Sequence, residues 1–219
     1  MPPTTPAPPP LSEHPTDVLP AAGEGAGWGA RGVGAVLLAG GLVGAVVSLV
    51  LLLDELALLA DPAYVPSCSI DPVLSCGTIM RTEQAAVLGF PNPVLGLLTY
   101  PVAAALGALV LSGVTLPRWA WWGLQAGTTA GMLFVHWLIA QSLVVIGALC
   151  PYCVVAWVVT IAVSWWVTSA NIRAGHLEFG WPGRVLAAHR AAVLAAWYLA
   201  VTVAVVAAFP SYWAGAVGL

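Results

Sequence analysis

Several stretches of this sequence run for about twenty residues with almost no charge, which is the length of a membrane-crossing helix. Such stretches leave the chain few ways to fold. In hydrocarbon every backbone N–H and C=O must find its partner within the chain, so a spanning segment is helical. The runs are Val33 to Leu53, Pro93 to Leu111, Trp119 to Ala170 and Ala191 to Phe209. The third is too long for one helix and too apolar for a soluble segment, so it divides into spans over 119–140 and 150–170. A tight turn is expected between Gln141 and Leu149, which gives five spans in all. Only 7% of the residues are charged and 60% are hydrophobic, whereas about a quarter of a soluble domain is charged. An ordinary water-soluble globule and a disordered chain are both excluded. The net charge of -3 is spread along the chain and offers no footprint for nucleic acid.

The connections divide the chain further. Residues 1–30 are rich in Pro, Ala and Gly and are expected to form a disordered cytoplasmic tail before a transmembrane domain over 31–210. Asp54 and Glu55 are expected to end the first span rather than to handle protons. Residues 54–92 read as a structured loop, with a short interfacial helix over Thr78 to Leu88 capped by Thr78. Residues 171–190 read as a polar connection, and 211–219 as a short outer tail. With the N-terminus inside, Arg31, Arg118, Arg173, Arg184 and Arg190 are cytoplasmic and only Arg81 lies outside. The 54–92 loop and the 141–149 turn are separated by an even number of spans. They share one face, the outer one in this orientation. The expected location is the inner (plasma) membrane, multi-pass, in contact with lipid.

That face carries all four cysteines: Cys68 and Cys76 in the loop, and Cys150-Pro151-Tyr152-Cys153 at the start of the fourth span. Four cysteines allow three disulfide connectivities. Structural disulfides are one reading, but a C-x-x-C in a helix closes too small a loop to stabilise much. A zinc site is another, but the first pair has the wrong spacing and the outer face favours oxidation, so no metal is expected. Thiol–disulfide exchange is the third and the favoured one, because C-x-x-C is the spacing of a redox dithiol and a second pair lies nearby. Pro151 suits the first helical position, and the helix N-terminus favours a thiolate at Cys150. Cys153 lies about 4.5 Å deeper on the same face. A dithiol whose deep member faces the bilayer suits a lipid-soluble two-electron acceptor such as a quinone.

Three motifs in order carry a resemblance. Cys68-Ser-Ile-Asp-Pro-Val-Leu-Ser-Cys76, Gly89-Phe90-Pro91-Asn92-Pro93 opening a span, and Leu149-Cys150-Pro151-Tyr152-Cys153 together resemble the bacterial form of the vitamin K epoxide reductase family. The likeness covers roughly residues 30–210. It implies an all-α fold: an integral membrane four-helix bundle around a quinone, plus a fifth transmembrane helix, with an outer-face cysteine loop. It also implies that Cys68 exchanges with a partner, Cys76 with Cys150, and that Cys153 closes on the quinone side. Asn92 matches the family's quinone-contacting Asn. Trp157 stands where animal members carry a Tyr, which favours a plain quinone of the menaquinone or ubiquinone type over an epoxide.

The expected activity is that of a quinone-dependent thiol–disulfide oxidoreductase. It would oxidise a separate thioredoxin-fold (DsbA-like) protein, forming disulfides outside the cytoplasm, and reduce quinone. The alternatives are a quinone or vitamin K epoxide reductase that serves to make reduced quinone, and a non-catalytic membrane protein with structural disulfides. His136, inside the third span, is read as hydrogen-bonded to a neighbouring helix ahead of a proton relay. Trp119, Trp121, Trp122, Trp165 and Trp166 form the expected inner aromatic belt. His176 and His189 are expected in solvent.

Overall fold

The computed structural model describes residues 24–216. Among them the chain is all-helical, and five helices are long and apolar enough to cross a membrane. The elements are α1 (Glu24–Ala60), α2 (Cys76–Met80), α3 (Pro93–Leu111), α4 (Arg118–Ala140), α5 (Pro151–Arg173), α6 (Gly180–Ala188), α7 (Arg190–Ala208) and α8 (Pro210–Ala216). The Pro-rich tail expected over 1–30 lies outside the described residues up to position 23, and its last part belongs to α1.

α1 does not stop at the acidic pair. It runs through Asp54 and Glu55 to Ala60, and both carboxyls are buried. Leu56, Leu58 and Leu59 resume the apolar pattern beyond them, and Tyr64 donates a 2.8 Å hydrogen bond to Asp54 from the loop that follows. The third span is also longer than expected. α4 passes into a wide π-helical turn over Gln141–Ile146, so the reversal is compressed into Gly147 to Leu149. The polar connection over 171–190 contains α6, and α8 occupies most of the C-terminal tail.

α1 packs against α3 and α5, and α4 packs against α5. Their common core includes Val33, Leu37, Ala103, Leu124, Val163 and Val167. Lipid tails are as apolar as these side chains, so association relies on close packing of small residues. α1 and α3 meet on glycine. A Cβ at Gly41 would stand 2.5 Å from the Ala104 nitrogen and 2.6 Å from the Tyr100 carbonyl oxygen. One at Gly107 would strike the backbone of Leu38 and Gly34.

α7 buries none of its residues. Its half-buried Val201 and Val205 pack against Val135, Ile139 and Trp157, and polar contacts add to this. Trp197 donates to His136 Nε2 at 3.0 Å, Tyr198 to the Val158 carbonyl at 2.8 Å, and Trp165 to the Arg190 carbonyl at 2.8 Å. Arg190 also lies over the Trp166 ring, 5.4 Å from its centroid. His136 is thus bonded to a neighbouring helix, with its Nδ1 on the Met132 carbonyl at 2.8 Å. His189 is exposed. His176 is half-buried rather than in solvent, bonded to Asn171 at 3.1 Å.

The glycine contact sets an expectation for stability. Gly107→Val should separate α1 from α3 and destabilise the fold by about 1–3 kcal/mol, as overpacking does. Gly123→Ala, where a Cβ meets nothing within 4 Å, should be neutral. Thermal unfolding of both variants in one detergent measures the difference.

Candidate active site: a cysteine relay beside an apolar cavity

The loop after α1 is organised by Asp71. Its Oδ1 accepts the backbone N–H groups of Val73 and Leu74, each at 2.8 Å, and its Oδ2 accepts the Tyr212 hydroxyl at 3.0 Å. The Leu74 N–H holds the Asp71 carboxyl below the usual carboxylate range. Burial works the other way, and the Val73 N–H and Tyr212 hydroxyl add to the lowering. The anchor is therefore at full strength above that range and fades only as pH falls through the lowered value.

Thus shaped, the loop pairs with the segment before α5. Leu149 N–H donates to the Val73 carbonyl at 2.7 Å, and Ser75 N–H donates to the Leu149 carbonyl at 2.9 Å. This is a short parallel bridge between Leu74 and Leu149. Cys150 follows Leu149 directly, and Cys76 stands two residues beyond Leu74. Ser75, not Thr78, caps the short helix α2: its hydroxyl accepts the Thr78 N–H at 3.2 Å and the Thr78 hydroxyl at 2.9 Å. The apolar segment beyond it forms a separate 3₁₀ turn over Glu83–Ala86.

The other partner is set by the turn after α4. Gly147 adopts φ 70°, a left-handed conformation that suits glycine. The Ser142 hydroxyl donates to the Ala148 carbonyl and closes the turn. Cys150 then occupies the N-cap of α5 with Pro151 behind it, and its sulfur accepts the Cys153 N–H at 3.2 Å. Such a bond favours the thiolate.

Cys68 and Cys76 form a disulfide, and Cys150 and Cys153 are free thiols. The Cys76 and Cys150 sulfurs lie 3.0 Å apart, and those of Cys68, Cys76 and Cys150 all fall within 4.8 Å of one another. The Cys68–Cys76 bond consumes two of these sulfurs, so the group as it stands is not a thiolate donor set for a metal. The arrangement suits exchange: a thiol beside a disulfide it can attack.

Beneath the sulfurs lies a cavity of about 420 Å³ between α1, α3, α4 and α5. Its walls are mostly apolar, with Ser48, Glu55, Asn92, Tyr100, Cys153 and Trp157 among them. Size and lining fit a small, largely apolar ring with a few polar anchor points. Trp157 is buried at 4% exposure and borders the cavity. Asn92 stands at its rim. One amide N–H of Asn92 donates to the Gln84 carbonyl at 2.6 Å and its Oδ1 accepts the Val87 N–H at 3.2 Å, which leaves a second amide N–H. Gln84 in turn donates to Gln141 at 3.3 Å, joining the 3₁₀ turn to the π-helical turn.

Asp71 and Tyr212 carry no role in the sequence reading, and Glu55 stands there as the end of the first span. An Asp-Pro pair in a loop signals a turn, so Asp71 was open to being found. Nothing local connects it to Tyr212.

The loop clip can be measured through the sulfurs. With Cys68→Ser and Cys153→Ser, the remaining Cys76 and Cys150 should form a disulfide readily under mild oxidant. Adding Asp71→Ala, which removes the acceptor of two backbone N–H groups, should lower the yield several-fold. Quantitative thiol alkylation and mass spectrometry read the result.

A comparison with curated proteins finds no match for this chain. A family model does match. It is that of the vitamin K epoxide reductase family, over residues 35–168, more than half of the chain. The matched region includes all four cysteines, Asn92 and Trp157, and stops before α6. The chain belongs to the vitamin K epoxide reductase family, a group of membrane oxidoreductases that act through cysteines on quinones.

Proposed function

We propose that this protein oxidises an extracytoplasmic thioredoxin-fold dithiol and passes the electron pair to a membrane quinone. The observation that carries the reading is the 3.0 Å separation of the Cys76 and Cys150 sulfurs, with Cys153 on the cavity wall. In the forward direction the partner's dithiol reduces Cys68–Cys76 and leaves as a disulfide. The Cys76 thiolate then attacks the Cys150–Cys153 disulfide. Cys68 closes on Cys76, and the inner pair is left as two thiols. Oxidation of the inner pair back to a disulfide releases two electrons and two protons, the amounts that convert a quinone to a quinol.

The chain's own groups divide the work. Cys68 meets the partner, and because it is only 5% exposed, the loop must open to admit one. Cys150, bonded by the Cys153 N–H, is the exchanging sulfur of the inner pair. Cys153 faces the cavity, where the free amide N–H of Asn92 is a donor for a quinone carbonyl. Trp157 supplies an apolar wall.

A coupled assay tests the reading, with a reduced thioredoxin-fold protein as donor and menadione as acceptor. Cys153→Ser should abolish menadione reduction while the donor still reduces Cys68–Cys76. Asn92→Ala should slow menadione reduction by roughly 2- to 12-fold, the equivalent of one neutral hydrogen bond of about 0.5–1.5 kcal/mol. Full activity of Cys153→Ser would remove the inner pair from the reaction.

Orientation is tested separately. Ser67 and Glu178 are both exposed, one beside the loop disulfide and one between α5 and α6. With the native cysteines replaced by Ser, an impermeant maleimide should label Ser67→Cys on intact cells. Glu178→Cys should label only after the membrane is opened. The reverse pattern would place the relay in the cytoplasm.

A further inference from the structure

Glu55 lies within α1 at the level of the cysteine relay, with only 6% of its surface exposed. Among the described residues no hydrogen-bond donor reaches its buried Oε2. It also borders the cavity that Cys153 borders. Its neighbour Asp54 is placed differently. Asp54 is not part of the cavity lining, and it accepts the Tyr64 hydroxyl from the outer loop.

An unpaired carboxylate in apolar surroundings is costly, and ionisable groups inside membrane helices serve functions more often than packing. Apart from the cysteines, the other polar groups on the cavity wall are hydroxyls and amides, which are poor proton carriers. The Tyr100 hydroxyl is committed to Thr160 at 2.7 Å, Thr160 to the Ala156 carbonyl at 2.8 Å, and Asn92 and Gln84 are amides. His136 has both nitrogens bonded and does not line the cavity. Arg81 donates to the Pro62 carbonyl.

We propose that Glu55 is the proton donor to the quinone oxygen in the cavity. This rests on the quinone reading above and adds to it a residue and a step. Two thiols, Cys150 and Cys153, become a disulfide and give up two electrons and two protons. The quinone gains both electrons and two protons as it becomes a quinol. One of those protons passes from the Glu55 carboxyl to the quinone oxygen, and the proton released by Cys153 restores the carboxyl; the other quinol proton is the one given up by the Cys150 thiol. The charge that builds on the quinone oxygen is thereby neutralised where it forms, without water entering an apolar site.

Two measurements test this on the full-length protein in detergent or vesicles. The first does not use turnover. Dicyclohexylcarbodiimide, an apolar reagent that adds to protonated carboxyls, should modify Glu55, and menadione should block the modification. Peptide mass spectrometry reads both. A Glu55 that is not modified, or that is modified equally with menadione present, overturns the proposal. The second is single-turnover menadione reduction from the pre-reduced protein. Glu55→Gln should slow it roughly 100-fold, a usual size for loss of a general acid. Glu55→Asp should recover part of the rate, and Asp54→Asn should match the wild type. Reduction of Cys68–Cys76 by the donor protein should proceed in Glu55→Gln, which shows that the relay is folded. If wild-type protein passes no electrons to menadione or ubiquinone-1, the quinone reading fails and this inference with it. If wild type does and Glu55→Gln keeps pace, this inference fails alone.

Discussion

Two backbone hydrogen bonds hold the chemistry of this protein in register: Leu149 N–H to the Val73 carbonyl, and Ser75 N–H to the Leu149 carbonyl. They fasten a loop that follows the first span to a turn that follows the third. Neither segment is regular, and neither could hold a sulfur within bonding reach of the other by packing alone. Because the bonds come from the residues just before Cys76 and Cys150, they fix the two cysteine backbones, from which the side-chain rotamers bring the sulfurs together. Everything else at this end supports the clip. Asp71 folds the loop so that Val73 presents its carbonyl, Ser142 and Gly147 shape the turn, and Ser75 starts α2 at the cysteine.

The clip matters because it sits at a boundary between environments. On one side are the exposed Asp61 and Arg81, which bond loop backbone. On the other is a cavity walled by Leu51, Ile79, Val135 and Trp157. Cys150 caps a helix on one side of that boundary, and Cys153 lies one turn further in. In the function proposed above, this arrangement lets electrons move from a protein dithiol to a lipid-soluble acceptor by exchange between sulfurs, so that the two substrates need never meet.

Much of this was legible in the sequence because membrane helices are specified by composition. Uninterrupted apolar runs fixed the number of spans, and counting spans placed both cysteine pairs at one end, where Cys76 and Cys150 are found. The acidic pair was misread for a physical reason. A charge near the end of an apolar run usually marks the boundary, and the partner that keeps Asp54 inside, Tyr64, comes from beyond that boundary. The cap of α2 was misplaced because Ser75 and Thr78 are both good caps and only their mutual hydrogen bond decides between them. The bond between Asp71 and Tyr212 joins residues 141 positions apart, and no periodicity or spacing records it.

The attachment of α7 has a practical side. With no buried residue, this helix is tied to the bundle by the half-buried Val201 and Val205 and by indole and phenol groups bonded to His136, Val158 and Arg190. In hydrocarbon nothing competes for those groups, but a thin or wet micelle supplies water that does. α7 leads into α8, whose Tyr212 holds Asp71 beneath the relay. The choice of solubilising medium thus becomes a variable of the enzyme itself. A detergent that hydrates the rim of the fifth helix would loosen the cysteine loop at the far end of the same strut, and preparations of identical sequence and purity would differ in how fast they exchange thiols.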